Sequence, residues 1–98
     1  MDSPTFEWDR PKGAANRRKH GVSFEEAVTV FQDPLARIHA DPDHSVSERR
    51  QIIIGHSERP RMLLVAFTDR KGKIRVISAR QVTRRERRAY EESREDLS

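Results

Sequence analysis

The residues of this chain best suited to chemistry are cationic and phenolic side chains near the ends of predicted strands and helices. Six such residues stand out: Lys19, His20, Arg50, Arg75, Arg80 and Tyr90. Cleavage of RNA requires that the 2′-hydroxyl lose a proton, that the 5′-oxygen gain one, and that cations offset the charge on the phosphorus centre. Guanidinium, ammonium, imidazole and phenol groups can supply all of this without a metal ion. Phosphodiester cleavage in RNA is therefore a chemistry within reach of this chain.

Each candidate also has a structural interpretation. Tyr90 is the single tyrosine and occupies an apolar position, so it could pack in the core with its hydroxyl tethered. His20, next to Gly21, could simply complement the negative end of a helix. Arg75 could extend into solvent or pair with a carboxylate such as that of Asp9 or Glu26. The sequence alone leaves both interpretations open.

Other chemistries find less support in the sequence. The chain has no cysteine, which excludes a disulfide scaffold, a thiol nucleophile and thiolate zinc ligands. It contains no phosphate-binding loop, no dinucleotide fingerprint and no helical pair of histidines. His39, Asp41, Asp43 and His44 at the loop 40–47 could bind a cation weakly, but a polar turn whose carboxylates cap local amides is the favoured interpretation. We expect neither a metal ion nor an organic cofactor.

The charge of the chain is concentrated in two segments. The total is +4, but residues 10–20 contain five basic side chains and no acidic one, and residues 58–80 contain seven basic and two acidic ones. A basic surface binds polyanions through phosphate contacts and counterion release. The alternative is a solvated surface that keeps a small domain in solution.

The length and hydropathy of the chain predict one domain. We expect it to span residues 1–98, with a frayed end at 93–98. The longest apolar run, 62–67, is far shorter than the roughly 20 residues that cross a bilayer. The acidic start of the chain does not resemble a signal peptide. We therefore expect a cytoplasmic protein that does not enter a membrane.

The first half of the chain is predicted to be mainly helical. A short strand or arm at 5–8 precedes a helix that is capped by Asp9 and stopped by Gly21. Ser23 and Glu26 have the spacing of a capping box at the start of a second helix. That helix ends before an Asp-Pro pair, because the residue before proline disfavours the helical conformation.

The second half is predicted to form a sheet followed by a helix. Strands are predicted at 35–39, 49–56, 62–68 and 73–79. Continuous apolar residues at 49–56 and 62–68 indicate central strands, and the polar turn at 69–72 indicates a hairpin. The last helix begins at a capping box formed by Thr83 and Glu86. The order β-α-α-β-β-β-β-α predicts a small α+β two-layer domain, an antiparallel sheet with helices packed against it.

Several separated motifs resemble the BrnT family of toxins. The first half of the resemblance consists of FEWD at 6–9, Lys12, Asn16, KHGVSFEEA at 19–27 and DP at 33–34. The second half consists of Arg50 five residues before Gly55, RVISAR at 75–80, Glu86 and Tyr90. The resemblance covers about residues 5–92.

This resemblance implies a ribonuclease toxin of a type II toxin–antitoxin pair with a RelE-like fold, which inhibits translation by cutting RNA. RelE-like enzymes use arginine, lysine and a C-terminal tyrosine or histidine rather than a metal. In this sequence the matching positions are Arg50, Arg75, Arg80 and Tyr90, followed by Lys19 and His20. Arg75 and Arg80 would bind the scissile phosphate. Arg50 would hold a neighbouring phosphate or assist the leaving group, and Tyr90 would position or stack the RNA or transfer a proton.

The resemblance also implies partners. A BrnA-like antitoxin would neutralise the toxin, assemble with it as a heterotetramer, and bind operator DNA through a ribbon-helix-helix part. Two alternatives stay open. The chain could be a non-catalytic nucleic-acid-binding module that acts in operon repression, or an antitoxin-docking domain whose basic face binds an acidic partner.

Overall fold

The computed structural model describes residues 4–41 and 49–95. The elements are β1 (Thr5–Glu7), α1 (Arg10–His20), α2 (Phe24–Thr29), a 3₁₀ turn (Val30–Gln32), β2 (Arg37–Ala40), β3 (Arg50–His56), β4 (Met62–Arg70), β5 (Lys73–Gln81) and α3 (Arg84–Glu95). The predicted element order and the α+β class are confirmed. Residues 93–95, expected to fray, belong to α3. Most of the loop predicted at 40–47, including Asp43 and His44, lies outside the described residues, as does the end of the chain from 96 to 98.

The five strands form one sheet in the order β1-β5-β4-β3-β2. Strands β2 to β5 follow one another as antiparallel neighbours. β1 departs from the antiparallel expectation, because it pairs with β5 in parallel, with Glu7 opposite Arg75. The first residues of the chain thus lie beside the last strand.

Strand alternation gives the sheet two distinct faces. Ile53, Val65 and Phe67 project to one side and form the core with α2, so we call this side the α1–α2 face. The opposite side carries Arg50 and His56 at the two ends of β3, and we call it the α3 face. The Tyr90 ring of α3 lies 6.5 Å from the His56 ring. The helices therefore occupy both sides of the sheet, a refinement of the two-layer expectation.

The ends of α1 follow the predicted signals. The Asp9 carboxylate accepts a hydrogen bond of 3.1 Å from the Lys12 backbone N–H. At the other end Gly21 adopts the left-handed conformation (φ 70°), and its N–H donates to the Arg17 carbonyl oxygen. Between them the buried Asn16 amide donates to the carbonyl oxygens of Val22 and Ala79 and accepts from the Ala79 N–H. α1 is thereby fixed to β5 beyond the point where β1 stops.

The capping box predicted for α2 forms only in part. Ser23 Oγ accepts from the Glu26 N–H at 3.0 Å, as expected. The Glu26 carboxylate, however, accepts hydrogen bonds from Ser57 Oγ at 2.7 Å and from Arg61 Nε at 2.9 Å instead of returning to the start of the helix. Because Glu26 is buried, its charge requires such a partner. The Arg61 hydrogen bond outweighs burial and lowers the pKa of Glu26 below its ordinary value.

The start of α3 forms the complete capping box that was predicted. Thr83 Oγ1 accepts from the Glu86 N–H at 3.1 Å, and Glu86 Oε1 accepts from the Thr83 N–H at 2.8 Å. At the other end, Arg37 Nη2 donates to the Ser93 carbonyl oxygen at 3.3 Å, which suits the negative end of a helix. Within the described ranges, no helix is long and apolar enough to cross a membrane.

The predicted hairpin turn joins β4 and β5. Lys71 and Gly72 both have positive φ, 54° and 80°, as in the two-residue turns whose twist suits a hairpin. The register is regular from the turn to the Phe67–Val76 pair and then shifts, so Ser78 rather than Ile77 lies opposite Ala66. The hairpin therefore brings Arg75 opposite Thr68 on the α3 face.

Candidate active site

A cleft of about 410 Å³ opens where β1 ends and α1 begins. Its charged lining residues are Asp9, Lys12, Arg49, Arg50, Asp69, Arg70 and Arg75. Five of these are basic and two are acidic, so the cleft is electropositive. Walls of this charge attract phosphates and raise their local concentration.

Two of the predicted catalytic residues lie in this cleft. Thr68 of β4 is paired with Arg50 of β3 on one side and with Arg75 of β5 on the other. Directly opposed residues share a face, so both arginines project from the α3 face with one strand between them. The spacing of neighbouring strands places their Cα atoms about 10 Å apart. Arg50 and Arg75 are 25 residues apart in the chain, and only the pairing of β3, β4 and β5 joins them.

Arg75 is held in place from the neighbouring strand. Its Nη1 donates to Glu7 Oε2 at 2.8 Å. The side chains of both residues are about one-third exposed, at 31% and 36%. The predicted pairing of Arg75 with a carboxylate is thus realised with Glu7 rather than with Asp9, because the parallel register sets Glu7 directly opposite.

Arg80 lies at the other end of β5, with α3. Its Nη1 and Nη2 each donate to one Glu86 oxygen at 2.8 Å, a bidentate pair. The Arg80 hydrogen bonds, opposed by burial and aided by the Thr83 N–H, lower the pKa of Glu86 to about 2. The same pair raises the pKa of Arg80. Arg80 is five positions along β5 from Arg75, which corresponds to roughly 16 Å.

Tyr90 also lies away from the cleft. It is buried, and its hydroxyl donates to the Leu35 carbonyl oxygen at 2.8 Å. Its neighbour His56 is six residues along β3 from Arg50, which corresponds to roughly 20 Å. The structure thus has the tethered, packed tyrosine that the sequence offered as the alternative interpretation.

Lys19 and His20 end α1, at the opposite end of the helix from Lys12. Lys19 is exposed and His20 is half-buried. The carbonyl oxygen of the next residue, Gly21, accepts a hydrogen bond of 3.0 Å from Arg61 Nη2. The structure therefore separates the six predicted residues into three places and brings only Arg50 and Arg75 together in the cleft.

The sequence interpretation assigned no chemistry to several residues that line the cleft. Asp9 caps α1 and Lys12 lies in its first turn, while Arg49 directly precedes β3 and Arg70 ends β4. The sequence predicts Asp9 as a helix cap or a partner of Arg75, and Lys12 enters only as part of a motif. Only the parallel pairing of β1 with β5 brings the start of α1 beside Arg75, and the local sequence carries no signal for that pairing.

The acidic side chains of the cleft do not form a metal site by themselves. In the part of the chain that the structure describes, no group of three or more His, Cys, Asp or Glu side chains is placed to hold a metal ion.

The fold and the arginine-lined cleft define a small α+β protein with a cationic site for a polyanion. A family model described as "Ribonuclease toxin, BrnT, of type II toxin-antitoxin system" matches residues 8–86. The chain belongs to this family of ribonuclease toxins, which confirms the resemblance found in the sequence. Membership of a type II system also implies an antitoxin partner.

A solved structure supports the same fold. The crystal structure of the Brucella abortus ribonuclease toxin BrnT matches with a TM-score of 0.66 and 22% sequence identity. The match covers 84% of this chain and 100% of that one. At this identity the likeness concerns the fold. A comparison with curated proteins gives no match.

Proposed function

We propose that this ribonuclease toxin cleaves RNA in the cleft between Arg50 and Arg75, without a metal ion, and that it inhibits translation in this way. The observation that carries the proposal is the alignment of the two arginines on either side of Thr68. Two guanidiniums on adjacent sites can bind one phosphate each, or one phosphate and the leaving group. They supply the positive charge that a metal ion supplies in other phosphodiesterases.

The proposed reaction uses the 2′-hydroxyl of RNA as nucleophile. Asp9 lines the cleft as a carboxylate and accepts the 2′-hydroxyl proton, so that a bond forms between the 2′-oxygen and phosphorus. The bond between phosphorus and the 5′-oxygen breaks, and Lys12 donates a proton to that oxygen. Arg75 stabilises the charge on the phosphoryl oxygens, and Arg50 holds the neighbouring phosphate or stabilises the leaving oxygen. The products are a 2′,3′-cyclic phosphate and a free 5′-hydroxyl.

Catalytic roles for Arg80, Tyr90, Lys19 and His20 stay predictions. Arg80 is engaged by Glu86, and the Tyr90 hydroxyl is engaged by Leu35. These contacts support positioning of α3 more directly than proton transfer in the cleft. We therefore base the assignment on Arg50 and Arg75.

We further propose that the antitoxin partner is BrnA-like, that it forms a heterotetramer with the toxin through an antitoxin dimer, and that its ribbon-helix-helix part binds operator DNA. Family membership supports this assembly. We propose that residues 1–98 act as one domain in the cytoplasm, where RNA and translation are found. The shared core of α2 with β3, β4 and β5 supports a single folded unit.

The test compares three purified proteins on a labelled single-stranded RNA. These are the wild type, the double variant R50Q/R75Q, and the control R17Q/R18Q, which removes the same charge from exposed positions of α1. We expect the cleft variant to lose at least about 100-fold in cleavage rate, as when transition-state charge stabilisation is removed. The control should cleave at the wild-type rate. EDTA should change the rate of neither protein. Normal cleavage by folded R50Q/R75Q would reject the cleft, and RNA binding without scission by the wild type would favour the non-catalytic module.

A further inference from the structure

The solvent side of α3 carries four arginines. Arg84, Arg85, Arg87 and Arg88 are all exposed. None of their side chains makes a hydrogen bond or an ion pair with another described residue. The acidic residue among them, Glu86, faces the sheet and is bound by Arg80. We call this side of the helix the arginine face; its four guanidiniums are exposed, and the next acidic residues along the helix, Glu91 and Glu92, follow one turn later.

The arrangement of these charges is unfavourable for the helix itself. Arg84 and Arg88 are four residues apart, and Arg85 and Arg88 three apart, so like charges are neighbours on the surface. They also lie in the half of the helix where the macrodipole favours acids, whereas Glu91 and Glu92 lie in the half where it favours bases. A local sequence that opposes its own secondary structure is expected at a functional or strained site.

We propose that the arginine face of α3 is a second RNA-binding site, which holds phosphates of the same strand whose scissile bond lies in the cleft. This inference rests on the proposed function, because it assumes that RNA is the substrate. The cleft arginines project from the α3 face of the sheet, and α3 packs against that same face. One strand can thus follow one side of the molecule from Arg75 past Arg80 to Arg84 and Arg88.

The composition of the face favours a nucleic acid over a protein partner. The shallow groove along it is lined by Arg84, Arg85, Arg88, Ala89 and Glu92. Ala89 is its single apolar residue, whereas protein interfaces centre on apolar and aromatic anchors. The exposed large apolar residues among the described ones, Leu35 before β2 and Ile38 on β2, lie near the C-terminal half of α3 and do not belong to the arginine face. Arginine forks suit phosphate oxygens, and all four cations are arginine.

The geometry makes the inference dependent on RNA length. Arg75 and Arg80 are separated by roughly 16 Å along β5, which corresponds to about five stacked nucleotides at 3.4 Å each. A dinucleotide can occupy the cleft but cannot reach the arginine face. A 15-nucleotide strand can occupy both.

The test compares R84Q/R85Q/R88Q with the control R10Q/R17Q/R18Q, which removes three exposed charges from α1. Glutamine keeps helix propensity close to that of arginine. Binding is measured with a 15-nucleotide, 2′-O-methylated RNA that cannot be cleaved, at several salt concentrations. Cleavage is measured separately with a dinucleotide substrate.

We expect the α3 variant to bind the 15-mer about tenfold or more weakly. The slope of log K against log salt concentration should become less steep by about 2, because each of the three phosphate contacts removed contributes about 0.7. Its cleavage of the dinucleotide should stay within twofold of wild type, and the control should keep the wild-type slope. Wild-type affinity and slope in the α3 variant would overturn the proposal, as would an equal loss in the control. Loss of antitoxin binding with RNA binding unchanged would overturn it in favour of a protein partner.

Failure of the proposed function gives a different result. If R50Q/R75Q cleaves the dinucleotide normally, the cleft assignment falls, whatever the binding data show for α3. If the wild type does not bind the 15-mer at low salt, RNA as substrate is rejected, and the α3 proposal falls with it.

Discussion

Glu7 and Arg75, a residue that lines the cleft, form an ion pair of 2.8 Å between two parallel strands. The pair connects residues that are 68 positions apart in the chain. The carboxylate reduces the charge of Arg75 toward a phosphate, yet it also fixes the direction of the guanidinium. The two effects can be measured separately, because the reduced charge weakens RNA binding and the fixed direction raises the cleavage rate.

We predict that Glu7→Gln lowers the rate at saturating RNA about tenfold without weakening RNA binding. Orientation of a catalytic group contributes to the chemical step, whereas loss of a nearby negative charge favours polyanion binding. Single-turnover cleavage and equilibrium binding separate the two quantities. Glu25→Gln, at an exposed position of α2, is the matched control and should change neither. An unchanged rate in Glu7→Gln would show that the pair does not orient Arg75.

Asp9 caps α1 and is also the general base that we propose, and substitution can separate the two roles. Asparagine caps helices as well as aspartate does, whereas alanine does not. We predict that Asp9→Asn keeps the melting temperature of wild type but loses about 10²- to 10⁴-fold in cleavage rate, the usual contribution of a general base. Asp9→Ala should lose the same activity and also about 1 kcal/mol of stability. Cleavage by Asp9→Asn at the wild-type rate, with an unaltered pH profile, would leave Asp9 only its capping role.

The Arg80–Glu86 pair makes stability depend on pH in the acid range. The folded-state pKa of Glu86 is about 2, below its ordinary value of 4.5. Its contribution is therefore complete above about pH 4.5 and is lost as the pH falls toward 2. We predict that wild type is more stable than Glu86→Gln at pH 6 and that the difference shrinks between pH 4.5 and 2. Urea unfolding at each pH measures it, and a difference that is constant over this range would contradict the prediction.

Tyr90→Phe distinguishes a structural tyrosine from a catalytic one. It removes the hydroxyl that donates to the Leu35 carbonyl oxygen and keeps the packed ring. We expect a loss of about 1–2 kcal/mol in the free energy of unfolding, because a part-buried carbonyl loses its donor. RNA cleavage by the folded variant should stay at the wild-type rate. A large loss of activity with unchanged stability would return Tyr90 to the active site.

Asn16 is predicted to be among the most sensitive positions of the fold. Its side-chain amide makes three buried hydrogen bonds with backbone groups, two of them with Ala79. Asn16→Ala should cost about 2–4 kcal/mol, since buried donors and acceptors are left without partners. The neighbouring Arg17→Ala, at an exposed site, should stay within about 0.5 kcal/mol of wild type. Equal stability of the two variants would refute this role.

The local features of the fold were predictable because they depend on neighbours in sequence. The Asp9 cap, the Gly21 stop and the Thr83–Glu86 capping box involve residues a few positions apart, and each forms as expected. The hairpin turn likewise follows from a glycine that permits positive φ. Such signals place elements along the chain but do not place them in space.

The features that the sequence did not predict depend on distant partners. Glu26 was expected to complete a local cap, but Arg61 and Ser57, more than 30 residues away, bind its buried carboxylate. Gly55 is required by a close approach, because an added Cβ would lie 2.8 Å from the Ala36 Cβ. The residue types of the candidate site were recognisable, and their separation into three places was not, since it follows from which strands pair.

The parallel pairing of β1 with β5 also sets the order in which the cleft comes into being during synthesis. Glu7 is translated before its strand partner Arg75, which follows 68 residues later. A nascent chain that has not yet released β5 has no cleft, because one wall of it does not exist. Any activity that depends on the cleft therefore has to wait until β5 has been synthesised and has paired with β1.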